Sequence, residues 1–185
     1  MTASTPAHEL ATLGGGCFWC LEAAFNRVEG VIEVRSGYSG GRAESATYDQ
    51  VSTGDTGHAE VVQIEFDPGT IPFEEVLDIF FTIHDPTTLN RQGADIGPQY
   101  RSVIFYHDER QRAVAEKKIR ELERSGKVRG KITTALEPFT AFYKAEPYHD
   151  DYYERNSGQA YCRLVIAPKI SKLEKEFGED LRKGA

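Results

Sequence analysis

The run Gly14-Gly15-Gly16-Cys17-Phe18-Trp19-Cys20 constrains this chain more than any other stretch. Three successive glycines let the backbone bend sharply. After them, Phe18, Leu21, Ala24, Phe25 and Val28 recur at helical spacing, so they share one face. His8 to Leu13 reads as a strand, which makes the segment a strand, a glycine turn and a helix that closes near Glu29-Gly30. Cys17 then stands at the helix N-terminus. Unpaired backbone N–H groups and the helix dipole favour a thiolate there, and Glu22 lies in the first turns, where an acid suits the positive end. Free cysteines are often small buried hydrophobes, and Cys17 and Cys20 admit that reading. Against it, the only tryptophan lies between them, and the glycine triplet has no obvious packing use.

A Cys-x-x-Cys pair is also half of a zinc site, but the other half is missing. Cys162 stands alone, and His8, His58, His84, His107 and His149 are scattered singly, so no metal is expected. An odd count of three cysteines fits redox or catalytic use in a reducing compartment better than a disulfide framework. The formal charge of -7 argues against nucleic-acid and anionic-membrane partners, both of which demand a basic surface. No apolar run spans a bilayer and the first ten residues lack the regions of a signal peptide, so a cytoplasmic location is expected. With 185 residues, 39% of them hydrophobic, the chain suits one domain over 1–185 with 1–7 flexible.

Along the chain, Val31 to Tyr38 is β-rich and Ser39 to Ser45 is a loop. From His58 a strong strand runs through Ala59, Val61, Ile64 and Phe66. Pro72 opens a helix with the stripe Phe73, Val76, Leu77, Phe80 and Phe81, stopped at His84-Asp85-Pro86. Thr87 to Gln99 is long and irregular, which inside a compact domain points to function. A strand over Tyr100 to Tyr106 follows, then a charged helix from Asp108 to Arg124 closed by Ser125-Gly126. Ile132 to Ala145 reads as one strand interrupted at Pro138, His149 to Arg155 as a short tyrosine-rich helix, Tyr161 to Ile166 as a strand, and Ser171 to Phe177 as a terminal helix. Strands and helices mix without strict alternation, which is α+β.

If Cys17 attacks a substrate, an acid and hydrogen-bond donors must handle the developing oxygen. In Gly57-His58-Ala59-Glu60 an acid opens an apolar strand, where burial would keep it protonated near neutrality; an outward-facing strand-end residue is the plainer alternative. Tyr48, Asp95 and Tyr100 are further candidates, since a phenol is a neutral donor suited to an S=O or C=O oxygen.

Together, Gly16-Cys17-Phe18-Trp19, Gly57 to Glu60, Gly93 to Ser102 and Glu146 to Tyr152 resemble the A-type peptide-methionine (S)-S-oxide reductases, in order and over most of the chain. The resemblance implies a two-layer α/β sandwich with a mixed central sheet, ferredoxin-like, without metal or organic cofactor; a monomer is the default expectation. It also implies reduction of the S-epimer of methionine sulfoxide, free or in proteins, with thioredoxin as reductant. On matching positions, Cys17 is the nucleophile, Glu60 the proton donor, Tyr48, Tyr100 and Asp95 place the sulfoxide oxygen and a water, and Phe18 and Trp19 hold the methyl group. The chain departs from the common pattern at Cys20, where relatives usually carry glycine, and at Pro98, where a small hydroxyl residue is usual. The resolving thiol is therefore either Cys162, at the usual position, or Cys20, with dithiol spacing; a relay through both is a third route. Cys20 is slightly favoured, because the ordered strand read after Cys162 would restrain it. A general dithiol oxidoreductase and a module binding oxidised methionine are the rival readings, though the first leaves Glu60, Asp95 and Tyr100 unexplained.

Overall fold

The computed structural model describes residues 7–184, so all but Ala7 of the segment expected to be flexible lies outside the described residues. Eight strands and six α-helices are present among them: β1 (Glu9–Gly14), α1 (Phe18–Phe25), β2 (Val31–Ser39), α2 (Tyr48–Val51), β3 (Ala59–Phe66), α3 (Phe73–Ile83), β4 (Arg91–Gln92), β5 (Asp95–Ile96), β6 (Val103–Tyr106), α4 (Glu109–Ser125), β7 (Ala135–Pro138), β8 (Tyr143–Lys144), α5 (Tyr152–Asn156) and α6 (Ala167–Phe177). Six strands form a mixed sheet in the order β7-β6-β1-β3-β2-β8; every pairing is antiparallel except β6 with β7, and β4 and β5 make a separate small hairpin. No described helix is long and apolar enough to cross a membrane.

Strand alternation divides the core. Ala11, Leu13, Val62, Ile64, Phe66 and Ile104 join the side chains of α1, α3 and α6 in the main core, while Ala59, Val61, Val103 and Phe105 form a smaller cluster under Phe139 and Phe142. Glu60 shares the parity of Val62 and Ile64, so it is on the helical side of the sheet.

The structure differs from the sequence reading most clearly at four places. First, α1 ends at Phe25 rather than near Glu29, because Arg27 and Val28 donate to Ala24 and Phe25 and tighten the chain into turns. Second, Tyr100 lies in a 3₁₀ turn, Pro98–Tyr100, that begins after Gly97, and the strand starts only at Val103. Third, Ile132 to Ala145 is not one strand. Pro138 ends β7, and the chain crosses to the opposite edge of the sheet, where β8 pairs with β2. Fourth, Tyr161 to Ile166 is not a strand: Cys162–Ile166 is a π-helical segment running directly into α6. Cys162, Ile166, Ile170 and Leu173 are all buried, a helical stripe that the apolar run Leu164-Val165-Ile166 disguises as β. Pro168 has no N–H to close an α-helical bond back to this segment, and the wider turn lies just before it.

Candidate active site

Cys17 is the N-cap of α1, with extended backbone (φ -65°, ψ 130°), and Gly16 before it adopts φ +89°, which a side chain would strain. The glycine triplet does have a packing role. A Cβ at Gly14 would meet Val103 at 2.8 Å, at Gly15 the rings of His84 and Phe80 at 3.0 Å, and at Gly16 the Gln92 side chain at 2.6 Å. The three glycines let the strand end pass between β6, α3 and the long loop. Gly16 N–H then donates to the Tyr100 carbonyl at 3.2 Å, tying the loop to the turn.

Eight side chains enclose a cavity of about 220 Å³ at this point: Cys17, Phe18, Trp19, Tyr48, Glu60, Asp95, Tyr100 and Tyr161. Seven are site residues expected from the sequence. A larger groove, about 1030 Å³, runs between the end of α3 and α6 but holds no cysteine, so chemistry rather than size marks the site. Glu60 is 2% exposed and accepts the Phe18 backbone N–H at 3.1 Å, sitting at the open end of α1. Burial, opposed by that N–H and helped by Asp95 and Cys20, pushes its carboxyl up to about 8. At neutral pH Glu60 therefore holds a proton. Burial also raises the Tyr48 and Tyr100 hydroxyls, so both remain neutral donors.

The walls are fixed by a second set of contacts. The indole of Trp19 stacks on Tyr152 with ring centroids 3.6 Å apart, and its N–H donates to Nδ1 of His149 at 2.9 Å. Glu146 accepts from the Tyr38 hydroxyl at 3.0 Å and from the Tyr48 backbone N–H at 3.0 Å, which anchors the start of α2 and with it the Tyr48 ring. These residues lie in the stretch Glu146 to Tyr152, whose resemblance carried no individual roles.

The cysteines do not ionise as the helix position alone predicts. Burial, the contact with Cys20 and the Glu60 charge raise the Cys17 thiol, outweighing the Trp19 backbone N–H that lowers it. Cys20 is brought down to about 7, chiefly by the hydrogen bond from Cys17, with burial opposing and Lys169 and Tyr161 assisting. The two sulfurs thus share a proton and a negative charge, each 7% exposed or less. Cys162 is fully buried on the π segment, its thiol raised by burial and by Cys20; it does not line the cavity. All three cysteines are free thiols.

Tyr161 escaped the sequence reading. A strand would send Tyr161 and Cys162 to opposite faces, but in the helical turn the Tyr161 hydroxyl reaches Asp95 at 2.7 Å. Two successive signals, an aromatic beside a cysteine and a proline six residues after that cysteine, were available to suggest a helical turn.

The profile described as Peptide methionine sulfoxide reductase matches residues 9–181. The chain belongs to this family. A relative in Saccharolobus solfataricus, Peptide methionine sulfoxide reductase MsrA, is 56% identical over 94% of this chain and 97% of its own. Among solved structures, Mxr1 from Saccharomyces cerevisiae in reduced form superposes with a TM-score of 0.75 at 37% identity, covering 85% of this chain and 91% of the other. Mxr1 in complex with Trx2 gives a TM-score of 0.52 at 27% identity, covering 82% and 89%. The A-type family, an oxidoreductase acting on methionine sulfoxide, and its mixed α/β fold are those expected from the four sequence motifs.

Proposed function

We propose that the enzyme reduces the S-epimer of methionine sulfoxide, free or within proteins, by direct attack of Cys17 on sulfur. The observation carrying this reading is the convergence of a nucleophilic sulfur, a protonated carboxyl and neutral phenols on one small cavity with aromatic walls. With Glu60 protonated, its repulsion of a Cys17 thiolate disappears. That favours passage of the pair's proton from Cys17 to Cys20, which leaves Cys17 as the thiolate that attacks. Cys17 bonds to the sulfoxide sulfur as the oxygen takes the Glu60 proton; the hydroxyl then passes from the substrate sulfur to Cys17, breaking the substrate sulfur–oxygen bond and the bond between the two sulfurs. Methionine leaves reduced by two electrons, Cys17 is oxidised to a sulfenic acid, and Glu60 is left as carboxylate. Tyr48 and Tyr100 donate to the oxygen, and Asp95 positions a water. The methyl group packs against Phe18 and Trp19, where the oxygen of the opposite epimer would find no donor.

Cys20 is the resolving thiol in this reading. It lies one helical turn from Cys17 and is already in contact with it, whereas Cys162 is shut away on the π segment. The Cys20 proton and the sulfenic hydroxyl leave together as water when the disulfide closes. Thioredoxin then reduces the disulfide by exchange, a role supported by the yeast relative's complex with Trx2. The enzyme acts without metal or organic cofactor, as a cytoplasmic monomer within a single domain.

A reductant-free single turnover with each epimer, followed by disulfide mapping, tests the scheme. Methionine from the S-epimer alone, with a Cys17–Cys20 linkage, is expected. No methionine from either epimer overturns the reaction, and a Cys17–Cys162 linkage overturns the assignment of Cys20.

A further inference from the structure

One hydroxyl group lies between the substrate cavity and the second thiol. The Tyr161 oxygen is 2.7 Å from Oδ2 of Asp95, to which it donates, and 4.0 Å from Sγ of Cys20. Its ring stands edge-on to Trp19, with centroids 5.8 Å apart. A phenol has one proton to give, and here two acceptors compete for it. We propose that the Tyr161 hydroxyl is a switching donor, held by Asp95 in the empty enzyme and passed to Cys20 when bound substrate or its water satisfies Asp95. The inference rests on the reading of Cys20 as the resolving thiol.

The consequence is a link between occupancy and the second chemical step. While Asp95 keeps the proton, Cys20 faces an anion across the cavity edge and has the Tyr161 hydroxyl only at the limit of contact, 4.0 Å away. Once Asp95 is engaged by substrate or water, the hydroxyl turns the short distance to Cys20 and stabilises its thiolate as it attacks the sulfenic sulfur of Cys17. The sulfur–sulfur bond forms, the sulfur–oxygen bond breaks, and the oxygen departs as water with the proton that Cys20 gave up. The donor thus reaches Cys20 only after substrate has entered. The charged and titratable groups facing Cys20 are Cys17 on α1, Asp95 on β5, Glu60 on β3, Tyr161 and Cys162 beside the π segment and Lys169 on α6. Lys169 also lowers the Cys20 thiol but lines the larger groove and not the cavity, so substrate in the cavity does not displace it.

Tyr161→Phe removes the hydroxyl and keeps the ring against Trp19. In single turnovers with methionine sulfoxide, methionine release and free-thiol loss are followed separately after quenching. In the variant, the ratio of disulfide closure to oxygen transfer is expected to fall about tenfold. In resting protein with Cys17 and Cys162 both changed to serine, ultraviolet thiolate absorbance reads the Cys20 midpoint alone. Adding Asp95→Asn is expected to lower that midpoint by about one pH unit, because the competing anion is gone and the hydroxyl is released to Cys20, and adding Tyr161→Phe to the Asp95→Asn protein to cancel the drop. Equal slowing of both steps, or a midpoint that Asp95→Asn leaves in place or lowers without the Tyr161 hydroxyl, overturns the proposal. If the unaltered enzyme forms no methionine at all, the reaction scheme fails; the midpoints still decide where the Tyr161 proton goes.

Discussion

Glu60 shows how placement converts an ordinary carboxylate into an acid. Its ordinary value of 4.5 becomes about 8 in the folded protein, so between those pH values the folded chain holds a proton that the unfolded chain has lost. The contribution of Glu60 to stability is therefore full below pH 4.5 and declines as the pH rises towards 8. Glu60→Gln removes that slope, and thermal unfolding across this range is expected to show the variant gaining on the parent by up to a few kcal/mol at pH 8. In activity, Glu60→Gln keeps a hydrogen-bond donor and retains much of the rate, while Glu60→Ala loses about a hundredfold or more. Oxygen transfer by the parent is also expected to fall above pH 8 as the proton is lost, a limb missing from the Gln variant's profile; equal profiles would exclude Glu60 as the donor. Cys17→Ser should abolish turnover while equilibrium dialysis still detects bound sulfoxide. The placement of Glu60 at the opening of an apolar strand and of Cys17 after its glycines was legible in the sequence. The division of charge between Cys17 and Cys20 was not, because it depends on how deeply both sulfurs are buried and on Glu60 arriving from a strand forty-three residues away in sequence.

Among the elements, those that carry one strong period were readable: β3 by its apolar run, α3 by its stripe, and α4 by Asp108 as N-cap and Gly126 as left-handed stop. The stretch from Ile132 to Ala145 was harder because sheet order depends on partners far away. Nothing local tells that β7 joins one edge and β8 the other. The glycine turn supplies the sharpest prediction at this scale. Gly16→Ala adds a left-handed strain and a contact at 2.6 Å with Gln92, so a loss of about 2 kcal/mol is expected in chemical denaturation, with a larger proportional loss of activity because Cys17 moves with the turn.

For the whole molecule, the stretch after α6 is stitched onto α1. Val28 bridges Leu181, Glu29 N–H donates to the Asp180 carbonyl at 2.9 Å, Arg182 N–H donates to the Arg27 carbonyl at 2.9 Å, and the Arg182 guanidinium reaches the Val31 carbonyl. These bonds secure the exit of α1 in the same way that the glycine turn secures its entry. Truncation after Phe177 removes them, with an expected loss of about 3 kcal/mol and a melting temperature lower by about 6 °C or more in calorimetry. An unchanged melting temperature would show that the tail adds nothing. The π segment, finally, is a helix carrying one residue more than its turns require. The wider turn takes up that residue, so Tyr161 and Cys162 keep nearly the rotational phase that an α-turn one residue shorter would give them. Leu164, 75% exposed, is the natural residue to remove. Its deletion is expected to close the segment into an α-turn with Tyr161 still facing Asp95 and Cys162 still in the core, and turnover close to the parent's is the outcome that checks it. A single surplus residue is therefore slack, gathered at one point so that the rest of the last helix keeps its register.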